Sequence, residues 1–137
     1  MSMRILIAGA VLSLSLASLA QAAPVTLTAD LSGKNEVANG DENATGSASV
    51  VIDVDAKTVK WTITTKDLED PVAAHIHSGA AGTNGGVVVN FGKDLSGSLS
   101  DQSADALKGI VDKPGDFYVN VHSKTNPGGA ARGQLKK

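Results

Sequence analysis

The chain contains no cysteine, so no disulfide can hold it together even in an oxidising compartment. Packing, sheet hydrogen bonds or a bound ion must do that work instead. Arginine is nearly as scarce, with Arg4 and Arg132 alone, and acidic residues outnumber basic ones, 14 to 12. No basic stripe exists, which argues against nucleic acid as a partner. Beyond the N-terminus no apolar run is long enough to span a membrane, which takes about 20 residues. No cofactor fingerprint and no serine or threonine in a recognisable triad context occurs. The glycine clusters "SGAAGTNGG" and "NPGGAARG" are followed by no helix that could cradle a phosphate, and they read as turns. The catalytic set is therefore empty.

What is present begins with "MSMRILIAGAVLSLSLASLAQAAPV". Arg4, an apolar run from Ile5 to Leu19, and the small residues Ala20-Gln21-Ala22 have the three-part order of a secretory signal peptide. The expected leader is residues 1–22, and the expected mature chain is a single β domain over residues 23–137. Its destination is a periplasm or the cell exterior. Losing Arg4 makes the formal charge of −2 one unit more negative.

The remainder alternates with a period of two. Val25, Leu27 and Ala29 oppose Thr26, Thr28 and Asp30; Val50, Ile52 and Val54 share a face. Asp55-Ala56-Lys57 reverses the chain into Val59, Trp61 and Ile63, which oppose Lys60, Thr62 and Thr64. Such runs are half-buried antiparallel strands. Further strands are expected in "VAAHIHS", "GGVVVNF", "GSLSD", "DFYVNVHS" and "AARGQLKK". Between them "SADALKGIVDKPG" has Ser103 as N-cap, apolar residues at helical spacing and Pro114 as a stop. The expected fold is all-β: an immunoglobulin-like Greek-key sandwich or partly open barrel of about seven to eight strands with one short helical crossover. "LSGKNEVANGDENATG" reads as a polar surface loop with little intrinsic order.

All three histidines fall on two of these strands. Residues i and i+2 of a strand share a face, so His75 and His77 lie together while Ile76 points to the core. In "FYVNVH", Phe117, Val119 and Val121 form the apolar set, which leaves Tyr118, Asn120 and His122 on the opposite face. If the two strands are neighbours, three imidazoles converge in a set that suits copper or zinc. The same three side chains also suit an ordinary polar sheet face that binds nothing. Arg132 either clamps an anion or bonds a ligand held by the histidines, or else it pairs with an acid such as Asp116 or satisfies loop carbonyls. Asn120 either supports His122 or holds a cross-strand turn. Asp67, Glu69 and Asp70 read as a solvated turn, because their spacing does not fit an EF-hand loop.

"LSGKNEV", "AAHIHSGAAGTNGGVVVNF" and "GDFYVNVHSKTNPGGAARGQL" together resemble the CHRD domain family, named for chordin and found also in exported bacterial proteins. The resemblance runs over roughly residues 27–135, in order and in spacing. It departs at Ala38-Asn39, at Ser78-Gly79, and at "GGAARGQL", where alanines stand in place of an acid and remove a candidate ligand. The resemblance implies an immunoglobulin-like sandwich or barrel in an extracellular setting. Growth-factor binding does not carry over, since one fold hosts many functions. The reading is an exported binding module with a copper or zinc ion on a surface site of His75, His77 and His122, supported by Asn120, Tyr118 and Arg132. The alternatives are a protein-interaction or matrix module without metal, and a metalloenzyme similar to superoxide dismutase, an enzyme that uses more histidines than this chain has.

Overall fold

The period-2 runs become strands almost residue for residue. The computed structural model describes residues 20–137, so the expected leader falls outside the described residues apart from Ala20 to Ala22. The strands are β1 (Val25–Ser32), β2 (Thr45–Asp53), β3 (Thr58–Lys66), β4 (Pro71–Ser78), β5 (Val87–Gly92), β6 (Ser96–Leu99), β7 (Phe117–Ser123) and β8 (Ala131–Gln134). Among the described residues one α-helix, α1 (Ala104–Asp112), occurs, between β6 and β7. The Ser103 side chain caps it through the amide of Ala106, and Leu107 and Ile110 are its buried residues.

All eight strands form one antiparallel sheet in the order β5-β4-β7-β8-β1-β2-β3-β6. The sheet curls until its ends nearly meet, so the partly open barrel is the form the chain adopts. Trp61 on β3 stacks on Phe91 of β5 with ring centroids 4.6 Å apart, which joins the two ends across the interior. Gly97 on β6 makes room for that indole: a Cβ there would lie 2.8 Å from the ring. Val59, Trp61, Ile63, Ile76, Val119 and Val121 all enter this one core, as alternation requires. Burying each large apolar side chain contributes roughly 1.5–3 kcal/mol.

The barrel divides into two halves at the β8–β1 seam. That seam has one in-register pair, Ser32 with Arg132, and an isolated bridge between Thr28 and Lys136. Gly133 lies under the Asp30 carbonyl, where a Cβ would be 2.1 Å from the oxygen. Only glycine lets the backbones approach so closely. The half made of β1, β2, β3 and β6 has a solvated outer face. In the half made of β5, β4, β7 and β8, loops cover the outside of β4, β7 and β8, while the edge strand β5 keeps Asn90 exposed.

One of those loops corrects the expectation for "LSGKNEVANGDENATG". The segment is ordered: it begins in β1, makes a 3-10 turn at Gly33–Asn35 and folds back over β7 and β8. The amide of Gly33 bonds the Ala44 carbonyl and the amide of Asp41 bonds that of Ala130, both at 2.9 Å. Its anchor is Glu36, whose side chain is buried by Arg132. Asp67, Glu69 and Asp70 are exposed, and Asp67 and Asp70 have positive φ, consistent with the turn reading.

A three-histidine cluster under the covered half of the barrel

β4 and β7 are direct neighbours, with His75 opposite Asn120, His77 opposite Tyr118 and Ala73 opposite His122. Cross-strand partners share a face, so all three imidazoles project from the outer side of the barrel, as alternation predicted. One nitrogen from each ring can be chosen so that all three lie within 4.8 Å of one another. Two nitrogens on one zinc ion, each at about 2.0–2.1 Å, sit no more than about 4 Å apart.

Hydrogen bonds define which nitrogens are available. A carbonyl oxygen only accepts, so the ring nitrogen facing one carries the proton. His77 Nδ1 faces the Gly85 carbonyl at 2.9 Å, and His122 Nδ1 faces that of Pro127 at 2.9 Å. In the neutral rings Nε2 of both then carries the lone pair, which in His122 faces His75 and in His77 faces no partner. His75 Nδ1 lies 3.1 Å from His122 Nε2 and donates to it. His77 Nε2 is buried and has no partner. Backbone carbonyls that fix a ring and leave the other nitrogen free are the usual support of a metal-ligating histidine.

The surroundings favour the neutral form of His75 and His77. Burial pushes His75 down to about 4, and like charge on His122 and His77 acts the same way. His77 is also lowered, first by burial; its bond to the Gly85 carbonyl opposes this, His122 and Arg132 lower it further, and Glu36 opposes. Neutral imidazole is the state a metal ion requires.

The expected supporting residues occupy the right face, and two of them, Asn120 and Arg132, share Glu36 as a partner. All three histidines are half-buried rather than fully on the surface. Tyr118, only 2% exposed, stacks its ring on His77 with centroids 5.0 Å apart and planes 2° from parallel. Asn120 makes no hydrogen bond to His122: its side-chain amide donates to Glu36 and to the Ala131 carbonyl. Arg132 pairs with an acid as expected, Glu36 rather than Asp116, at 2.6 Å, and it also serves the Thr83 loop carbonyl. The sequence pattern placed no weight on Glu36, although it lies in the "LSGKNEV" stretch that carried the family resemblance. This is the carboxylate near the histidines, and it is no free ligand, since Arg132 holds one oxygen and Asn120 the other.

The CHRD domain family matches the chain over residues 27–135, nearly all of the described segment, and the chain belongs to that family. No curated protein and no solved structure matches it.

Proposed function

We propose that this CHRD-family protein is an exported, non-enzymatic binding module that takes up a transition metal ion, copper or zinc, through His75, His77 and His122. The observation that carries this reading is the buried Nε2 of His77, an acceptor without a partner inside a cluster of imidazoles. Leaving such an atom unpaired costs about 1–3 kcal/mol, a penalty that a bound ion relieves. Three imidazole nitrogen donors suit copper and zinc, and hard ions such as calcium or magnesium prefer oxygen. A bound ion would supply a Lewis-acidic centre with a position open to an outside ligand. The residues themselves supply no acid–base partner: Glu36, the buried carboxylate, is engaged by Arg132 and Asn120. Export is supported by the Arg4, apolar-run and Ala20-Gln21-Ala22 order. Among the described residues no helix is long and apolar enough to cross a membrane.

Calorimetric titration of metal-free protein with Cu²⁺ and Zn²⁺ is the test. His77→Ala should abolish tight binding, and Lys124→Ala should leave it nearly intact. Equal, weak binding by wild type and a triple alanine variant of the histidines would refute the reading. N-terminal sequencing of the exported protein should start at Ala23.

A further inference from the structure

The loop between β4 and β5 supplies the carbonyl that orients His77, and this loop is itself held by a side chain from across the sheet. Arg132, on β8, sends Nη1 to the Thr83 carbonyl at 2.9 Å and Nη2 to Asn84 Oδ1 at 2.7 Å. Its Nε donates to Glu36 Oε2 at 2.8 Å. The guanidinium carbon lies 4.2 Å from the centroid of Tyr118, and the same Tyr118 ring stacks on His77. The tyrosine hydroxyl accepts from the amide of Gly85 at 3.3 Å, while the Gly85 carbonyl accepts from His77.

Two routes therefore run from one guanidinium to one imidazole. The first passes through the stacked Tyr118 ring and fixes the plane of His77. The second passes through Thr83 and Asn84 to the carbonyl of Gly85 and fixes which nitrogen carries the proton. Gly85 has to be glycine for the second route, because a Cβ there would lie 1.5 Å from the Ser78 carbonyl. A planar fork with five donors can serve an acid, a carbonyl and an amide at once while stacking on an aromatic face; an ammonium cannot.

We propose that Arg132 is a positioning residue that locks His77 in one tautomer and one orientation, with Nε2 bare. Glu36 is the counter-charge that lets the guanidinium stay buried. The inference rests on the metal reading for its purpose, yet the state of His77 can be measured without any metal. Residues that orient a ligand in this way typically change metal affinity by about 10–100-fold when removed.

The experiment uses the full mature chain in four forms: wild type, Arg132→Lys, Asn84→Ala and Tyr118→Phe. Asn84 is exposed, so its variant keeps the fold even if Arg132→Lys does not. Nitrogen-15 NMR of the His77 ring in metal-free protein at neutral pH should show the single Nδ1–H tautomer in wild type. Asn84→Ala and Tyr118→Phe should shift it toward a mixture, with Cu²⁺ affinity about 10-fold lower, and Arg132→Lys should lose about 100-fold. An unchanged His77 signature and wild-type Cu²⁺ affinity in folded Asn84→Ala and Tyr118→Phe would overturn the proposal, reducing Arg132 to a structural ion pair. A tautomer shift in the variants of a protein that binds no Cu²⁺ or Zn²⁺ would uphold the positioning and refute the metal reading.

Discussion

Two rows of side chains cross the outer face of the same sheet, and they have opposite fates. In the half made of β1, β2, β3 and β6, Thr28, Ser49, Thr62 and Ser96 stand abreast, all exposed. In the other half His75, Asn120 and Arg132 stand abreast, and Asn120 and Arg132 are 2% and 5% exposed. The backbone rule is the same in both: partners across the ladder share a face. What differs is the cover. The first row meets water. The second lies beneath the loop after β1, the loop between β4 and β5, and the turn between β7 and β8, and each of these delivers a backbone carbonyl or a carboxylate to a particular side chain. Alternation decides the face of a residue, not whether that face is wet.

The largest expected effect tests the shared interior. Trp61 is 6% exposed, stacks on Phe91 and donates its indole N–H to the Asp94 carbonyl at 3.0 Å. Trp61→Ala should cost about 3–5 kcal/mol, the usual range for removing a buried large aromatic. Urea unfolding measures it, and a midpoint near wild type would mean that the two sheet ends are not joined through this stack.

Glu36→Gln probes the covered row. The substitution keeps the shape and removes the charge that faces Arg132, leaving a guanidinium whose side chain is 6% exposed. Breaking a buried pair from one side costs about 3–5 kcal/mol, with the amide's residual hydrogen bonding placing this variant at the low end. An Asp30→Asn variant serves as contrast, because the Lys136–Asp30 pair is largely solvated and such pairs are worth about 0–1 kcal/mol. Similar costs for the two would erase the distinction between the halves.

These contrasts show how much was legible in the sequence. The β2–β3 hairpin, the capped helix, the core face of each strand and the outward face of His75, His77 and His122 follow from periods, caps and turn residues, which are local; the pairing of β4 with β7 that brings the three together is long-range. The partners of Arg132 and Asn120 do not follow from local pattern either. Glu36 lies 96 and 84 residues from them along the chain, in a segment rich in Asn, Gly and acids that carries no periodic signal. Its order comes from tertiary contacts alone. For the same reason β7 loses its visible alternation: Tyr118, Val119, Asn120 and Val121 are all buried, because both faces of that strand are covered.

A third prediction concerns acid. In the folded chain His75 is held down to about 4 by burial, against 6.5 when unfolded. Between those values the unfolded chain binds more protons, so the contribution of His75 is fully present above about pH 6.5 and is lost as pH falls toward 4. His77 acts in the same direction. Carboxylates add a background of their own, so the measurement is the difference in urea midpoint between wild type and His75→Gln at several pH values, without metal. That difference should move against wild type from pH 6.5 to 4 and then level off. A constant difference would mean that the covered half admits charge as readily as the open one.

The smallest expected effect is the sharpest control. Thr62 is exposed at the centre of the open row, flanked across the ladder by Ser49 and Ser96. Its hydroxyl is solvated and nothing packs over it, so Thr62→Ala should change stability by no more than about 0.5 kcal/mol. Some of that change would reflect the lower strand propensity of alanine rather than any lost contact. Asn120→Ala is the corresponding substitution in the covered row. It removes the donor to Glu36 and to the Ala131 carbonyl and leaves a buried carboxylate oxygen and a buried carbonyl short of a partner. That should cost about 1–3 kcal/mol. Both positions are outward on a central strand of one sheet, so backbone pairing is common to the two and the difference isolates the loop cover. A Thr62→Ala cost as large as that of Asn120→Ala would show that the open row also has a covering partner in solution.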